Sequence, residues 1–200
     1  MCAVNENPEN ILKKQPKQAR SAATFEAILE ATSRVLVAQG RARVSTNRVA
    51  QVAGVSVGSL YQYFPNKEAL LAELRRRYDE QFMDRMIREL GRVGRLPLRE
   101  AMPEFMRFMI SLHAENPKLH NELTAEIPEV QRKYLRAFAL AYLEAHRDEV
   151  RPKRLETAAY ICLEAGEALC HQTALHEPER LHDEGFVEEV CDLLVRYLAR

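Results

Sequence analysis

No run of about 18 apolar residues occurs anywhere in the chain, so no stretch of it reads as a helix spanning a membrane. The opening residues, MCAVNENPENILKKQPKQ, hold no apolar core of a secretory leader, and a cytoplasmic location is the expectation. Cysteine is sparse, four in 200 residues, and no two stand as a CxxC pair. That speaks against a disulfide framework and against a redox or zinc motif. Cys162, Cys170 and Cys191 fall on apolar helix faces, where a thiol reads as a small buried hydrophobe. There is no glycine-rich phosphate loop, no strand–helix–strand alternation, and no readable Ser-His-Asp arrangement or metal motif. An enzyme is therefore not expected, and no catalytic residue, metal ligand or cofactor is assigned. Net charge is absent too, with 29 Lys and Arg against 29 Asp and Glu.

That balance hides a division. Residues 1–67 carry nine basic side chains and four acidic ones, net +5, and the remainder is net −5. A basic head on an acidic body suggests a polyanionic partner for the head alone. An apolar fraction of 46% beside 29% charged residues makes the chain globular, with enough length for a sizeable core.

Helical periodicity dominates the sequence. Residues 1–17, with two prolines and many polar side chains, read as a flexible tail. Phe25, Ile28, Leu29, Thr32, Val35 and Leu36 recur at spacings of three and four, which predicts a first helix over residues 21–39, stopped at Gly40. A short second helix starts at Ser45 or Thr46, turns Val49 and Ala50 inward and ends at Gly54. A third runs from Val57 to Phe64, with Ser56 before it and Pro65 after it. Asn66 caps a long helix over residues 67–90, and Gly91 to Pro97 form a break. Further helices are expected near 98–113, 117–124, 127–149, 153–176 and 183–199, each beginning close to a proline or a polar break. The fold class is therefore all-α, with about nine helices. The domains read as 18–66, a three-helix head, and 67–200, a larger helical body.

Two short helices joined by Gly54-Val55-Ser56 make a helix-turn-helix. Leu60 and Phe64, four apart, supply the inward face of its second helix. Val57, Gly58, Ser59, Tyr61, Gln62 and Tyr63 are left at the open end or on the outer faces, and such a helix fits a major groove. Gly58 permits close backbone approach, hydroxyls of Thr46, Ser59 and the tyrosines suit phosphate oxygens, and Gln62 can read base edges. Lys67 adds a charge where a phosphate would sit. Lys13, Lys14 and Lys17 read either as a basic arm along the DNA or as part of a solvated tail.

The segment STNRVAQVAGVSVGSLYQYFPNKEALL, residues 45–71, closely resembles the DNA-binding domain of the TetR family of transcriptional regulators. Its pattern A-G-V-S-x-G-[ST]-L-Y-x-[YH]-F-x-x-K-E-x-L-L is matched almost throughout. The likeness extends back through the first helix, over residues 20–71; the rest resembles the family in length and helical character. The resemblance implies a dimer with helices 1–3 on DNA, and a long fourth helix leading to a body that binds a ligand. It places Thr46, Asn47, Val57, Gly58, Ser59, Tyr61, Gln62, Tyr63 and Lys67 against DNA. Asn47, Val57, Gly58 and Gln62 would read bases, and Thr46, Ser59, Tyr61, Tyr63 and Lys67 would clamp phosphates. Many members carry arginine where Asn47 stands, so guanine reading is not expected there, although asparagine can pair with adenine, and the neighbouring Arg48 is a candidate phosphate contact.

The body is less legible. Phe105, Met106 and Met109 with Tyr134, Phe138 and Tyr142 are the candidate lining of an apolar effector pocket, although ordinary core explains each as well. Glu164, Glu167 and His171 share one helix face and are also assigned to the pocket, with a metal or a cationic ligand as possible guests. A dimer-facing or solvated acidic face is the preferred alternative for them, and His113, His120 and His146 read as structural or exposed. The last two helices carry small residues and a broad apolar face suited to a homodimer seam. The function expected is a ligand-responsive repressor on a palindromic operator of double-stranded DNA, released by an unidentified small-molecule effector. A DNA-binding activator or dual regulator is the alternative.

Overall fold

The computed structural model describes residues 19–124 and 128–200. The expected tail, with Lys13, Lys14, Lys17 and Cys2, lies outside the described residues. Nine α-helices and two short 3₁₀ turns make up the described chain, with no strand among them. Among the described residues no helix is long and apolar enough to cross a membrane. The chain divides into two compact units, with the division between Glu80 and Gln81.

The first unit holds α1 (Ala19–Gln39), a 3₁₀ turn (Arg41–Arg43), α2 (Thr46–Ala53), α3 (Val57–Tyr61) and the first half of α4 (Lys67–Val93). The α1 face anticipated from its spacing is the buried one: Phe25, Ile28, Leu29, Thr32, Val35 and Leu36. Phe25 is the centre of the unit. Its ring stacks on Phe64 at 5.0 Å and meets the edge of Tyr63 at 5.7 Å. Arg77 lies over the Phe25 ring, 5.0 Å from its centroid, and bonds Glu26 of α1 and Glu73 of α4. Glu73 is 2% exposed and also receives Arg76 at 2.7 Å. Burial pushes the Glu73 carboxyl up, but hydrogen bonds from Arg76 and Arg77 outweigh it and hold the pKa below the ordinary value.

The second unit comprises the rest of α4, α5 (Leu98–Glu115), α6 (Pro117–Leu123), α7 (Glu129–Ala145), α8 (Leu155–His176), a 3₁₀ turn (Pro178–His182) and α9 (Glu184–Leu198). Helix α5 packs on α8 and α9, and α7 packs on α8. Gly166 lets α8 approach α5 closely, since a Cβ there would stand 3.3 Å from Met106 Sδ. The expected helix over 127–149 ends earlier, at Ala145. His146 Nδ1 folds back to the Tyr142 carbonyl at 3.0 Å, and the Glu149 carboxylate accepts from Leu98 N at 2.8 Å, where it caps α5. Val150 and Ala199 form an isolated antiparallel bridge.

Candidate nucleic-acid interface and effector cavity

The helix-turn-helix is built by three caps and one glycine. Ser45 accepts the Arg48 amide at 3.3 Å to start α2, and Ser56 accepts the Ser59 amide at 3.0 Å to start α3. Asn66 Oδ1 accepts the Ala69 amide at 2.8 Å to start α4. Gly54 takes φ +68 between α2 and α3, a left-handed backbone that L side chains rarely adopt, and nothing lies within 4 Å of a Cβ built there. The turn requires a conformation there, not a space.

Helix α3 is shorter than expected. It ends at Tyr61, and residues 62–64 close through i,i+3 bonds such as Gln62 N to Ser59 O at 3.3 Å and Tyr63 N to Leu60 O at 3.0 Å. The residue before a proline disfavours helical backbone, so Phe64 cannot continue α3 into Pro65. The interior is filled by Leu60 and Phe64, both fully buried, as the sequence indicated. Tyr63 joins them at 6% exposure. Its placement on the outer face is thereby corrected: Tyr63 follows Leu60 by three residues, within about 60° of it on a helix, and its ring closes over Phe25. That i, i+3, i+4 spacing was the available signal.

The remaining candidates face outward. Val57 and Tyr61 are exposed at 38% and 40%, Asn47, Arg48, Gly58 and Gln62 are exposed, and Thr46, Ser59 and Lys67 are half-buried. The Tyr61 hydroxyl lies 3.2 Å from Thr46 Oγ1, which ties the outer faces of α2 and α3 together. Arg48 donates to Gln51 at 2.8 Å, and Ser56 and Ser59 share a hydrogen bond of 2.7 Å. An exposed valine and tyrosine beside an amide, a glycine and a hydroxyl pair form a surface able to meet thymine methyls, base edges and phosphates.

Two adjoining cavities occupy the second unit. The first, about 50 Å³, is walled by Met86, Phe105, Met106, Met109, Leu135 and Cys162, with Arg132, Glu164 and Glu167 at its polar side. The second, about 70 Å³, shares Phe105, Met106, Leu135 and Cys162 and adds Met102, Phe138 and Tyr142 among others. Four of the chain's six methionines, Met86, Met102, Met106 and Met109, thus line them. Burial, with a smaller push from Glu149, raises the Tyr142 phenol to about 12, and its hydroxyl donates to the Leu96 carbonyl at 2.8 Å. Burial alone pushes the Cys162 thiol up to about 12.

Of the expected lining, Phe105, Met106, Met109, Phe138, Tyr142, Glu164 and Glu167 border these cavities. Tyr134 does not: it is 43% exposed and lines neither cavity. His171 also lies elsewhere, beside His120 with ring centroids 5.6 Å apart. The three-residue group on α8 is therefore split. Glu164 is a paired carboxylate, bonded to Arg136 at 2.8 Å and Arg132 at 2.9 Å; the Arg136 bond leads in holding its pKa low. Leu135 and Met86 were not anticipated as lining. Only the meeting of α4, α5, α7 and α8 brings them together.

Residues 28–74 match the family "Bacterial regulatory proteins, tetR family", and residues 97–198 match "Tetracyclin repressor-like, C-terminal domain". No curated protein matches the chain significantly. Among solved structures, it is similar to NalD, the secondary repressor of the MexAB-OprM multidrug efflux pump in Pseudomonas aeruginosa. The identity is 20%, the alignment covers 92% of this chain and 99% of NalD, and the TM-score is 0.67. It is similar to the fatty acid degradation regulator FadR from Bacillus halodurans, at 16% identity, 90% and 97% coverage and a TM-score of 0.63. The SmeT–triclosan complex is similar at 22% identity, 89% and 92% coverage and a TM-score of 0.62. At these identities the structures show a shared fold, whereas the two sequence matches together span most of the chain. The chain belongs to the TetR family of transcriptional regulators.

Proposed function

We propose that the protein is a repressor that binds a palindromic operator as a cytoplasmic homodimer and leaves it when a small apolar effector enters the helical unit. The observation that carries this reading is the outward presentation of Val57, Gly58, Tyr61 and Gln62 over a core already filled by Leu60, Tyr63 and Phe64. Asn47, Val57, Gly58 and Gln62 read base edges, and Thr46, Arg48, Ser59, Tyr61 and Lys67 hold phosphates. Tyr63 acts through packing: it fixes the tilt of the α3 end against Phe25.

Homodimerisation is supported by apolar side chains left exposed on the last two helices. Ile161, Ala168 and Leu175 repeat every seven residues along one stripe of α8, and Leu193 of α9 is 55% exposed. A two-fold dimer presents two copies of α3 to a palindrome. The effector reading rests on the two cavities. A typical ligand pocket is about 300–1,000 Å³, so a ligand must open these cavities, and methionine walls adapt to that. Met86 and Leu90 of α4 line them, and α4 also carries residues of the first unit. An effector that binds two positions of this helix unequally shifts the population of DNA-competent dimers. The fold is shared with a structure holding triclosan and with an efflux-pump repressor, which accords with an apolar guest.

Selection of bound DNA from a random pool with the full chain tests the reading. A palindromic consensus is expected, with binding to it weakened at least tenfold by Tyr61→Ala. Failure to enrich any palindrome overturns operator binding, and unchanged affinity in Tyr61→Ala overturns the contact assignment.

A further inference from the structure

Three of the six histidines in the chain converge with a carboxylate inside the second unit, and of the four residues only Glu167 also borders one of the two cavities. His113 comes from the last turn of α5 and His120 from α6, while Glu167 and His171 stand one turn apart on α8. One ligand atom from each lies within 4.8 Å of those from all the others. His113 and His120 are 0% and 3% exposed, and their ring centroids are 4.3 Å apart. His113 Nδ1 lies 2.9 Å from the Met109 carbonyl. A carbonyl only accepts, so Nδ1 carries the proton and Nε2 turns a lone pair into the cluster. That Nε2 has no hydrogen-bond partner; its nearest carboxylate oxygen, on Glu167, is 3.7 Å away, beyond hydrogen-bonding reach. Glu167 Oε2 is likewise buried without a hydrogen bond.

Buried polar atoms left unsatisfied in this way destabilise a fold. At 3.7 Å a proton on His113 or Glu167 makes no hydrogen bond between the two. A cation that accepts lone pairs satisfies the whole set. We propose that His113, His120, Glu167 and His171 form a binding site for one divalent first-row transition ion of the Zn(II) class. Three imidazoles and one carboxylate complete a tetrahedral zinc shell. Imidazole suits Zn, Ni, Cu and Fe, whereas Ca and Mg take oxygen ligands. Zinc bonds of about 2.0–2.1 Å place tetrahedral ligand atoms roughly 3.4 Å apart, so binding contracts the cluster by about 1 Å. The Met109 carbonyl already fixes the His113 ring, as an outer partner does for a ligating imidazole. An ion here clamps α6 to α5 and α8.

The site owes nothing to operator binding, and its test needs no DNA. Tag-free full-length protein is stripped with chelator and titrated with Zn(II) and with Co(II). One ion per chain is expected. The Co(II) form shows the visible bands of a tetrahedral site without a thiolate charge-transfer band, and Zn(II) displaces it. At a hundredfold excess of Zn(II) over Kd, the Tm rises by roughly 5–10 °C. His171→Gln and Glu167→Gln, both at half-buried positions, bind at least tenfold more weakly, with metal-free helicity unchanged. No uptake by the stripped wild-type chain overturns the proposal, whatever the variants do. So do wild-type Co(II) bands in either folded variant, or a thiolate band showing that the ion sits on cysteine.

Discussion

Tyr61 and Tyr63 stand two residues apart and have opposite fates. Tyr61 is 40% exposed and its hydroxyl meets that of Thr46, while Tyr63 is 6% exposed and lies on Phe25. Replacing Tyr61 by alanine is expected to leave stability within about 0.5 kcal/mol of wild type, as for an exposed side chain. Tyr63→Ala is expected to lower stability by about 3 kcal/mol, through the cavity it leaves. Paired denaturant titrations check both, and equal losses would put the two rings in the same environment. The outward face of Tyr61 and the inward faces of Leu60 and Phe64 were legible from spacing alone. Tyr63 was misplaced because two inward residues already sufficed for so short a helix. The same spacing, taken one position further, turns it inward.

Glu73 shows what a helix does with a buried charge. Its carboxylate joins Arg76 and Arg77 within α4, and Arg77 carries the link to Glu26 on α1. Because its folded pKa lies below the unfolded one, ionised Glu73 stabilises the fold at neutral pH. That contribution falls away as pH drops below the unfolded value, about 4.3, and is gone below the folded value. Glu73→Gln is expected to cost about 1.5–3 kcal/mol at pH 7, the range for hydrogen bonds to charged groups. Thermal melts of both proteins from pH 7 to pH 3 should show that gap closing; a gap constant with pH removes the charge from the explanation. The helices themselves were largely legible, because the α1 stripe from Phe25 to Leu36 and the prolines at 97, 117, 128, 152 and 178 bracket them. The early end of α7 was not, since it depends on Glu149 reaching Leu98, 51 positions away. The imidazole cluster was half legible: Glu167 and His171 share a face of α8, with a metal among the possible guests, but His113 and His120 join them only when α5, α6 and α8 pack.

The division of charge, +5 over residues 1–67 against −5 over the rest, concentrates attraction for DNA in the head. Operator affinity is therefore expected to fall steeply with salt, and Lys67→Ala should reduce the slope of log K against log salt by about 1 per subunit. Fluorescence anisotropy between 50 and 200 mM salt reads this directly; an unchanged slope removes Lys67 from the phosphate contacts. Charge placed on the exposed stripe, as Ile161→Glu with Leu193→Glu, is expected to yield folded monomers by sedimentation and to weaken operator binding at least tenfold. A dimer surviving both substitutions moves the seam to another face. Cys162 has a separate consequence for how the molecule is watched in time. It borders both cavities, and burial raises its thiol pKa to about 12, so the closed protein is nearly inert to alkylation there. In a Cys2→Ser background, the rate at which an alkylating reagent modifies Cys162 becomes a clock for cavity opening. A ligand that fills the opened space should slow that clock, even on a chain that carries no DNA.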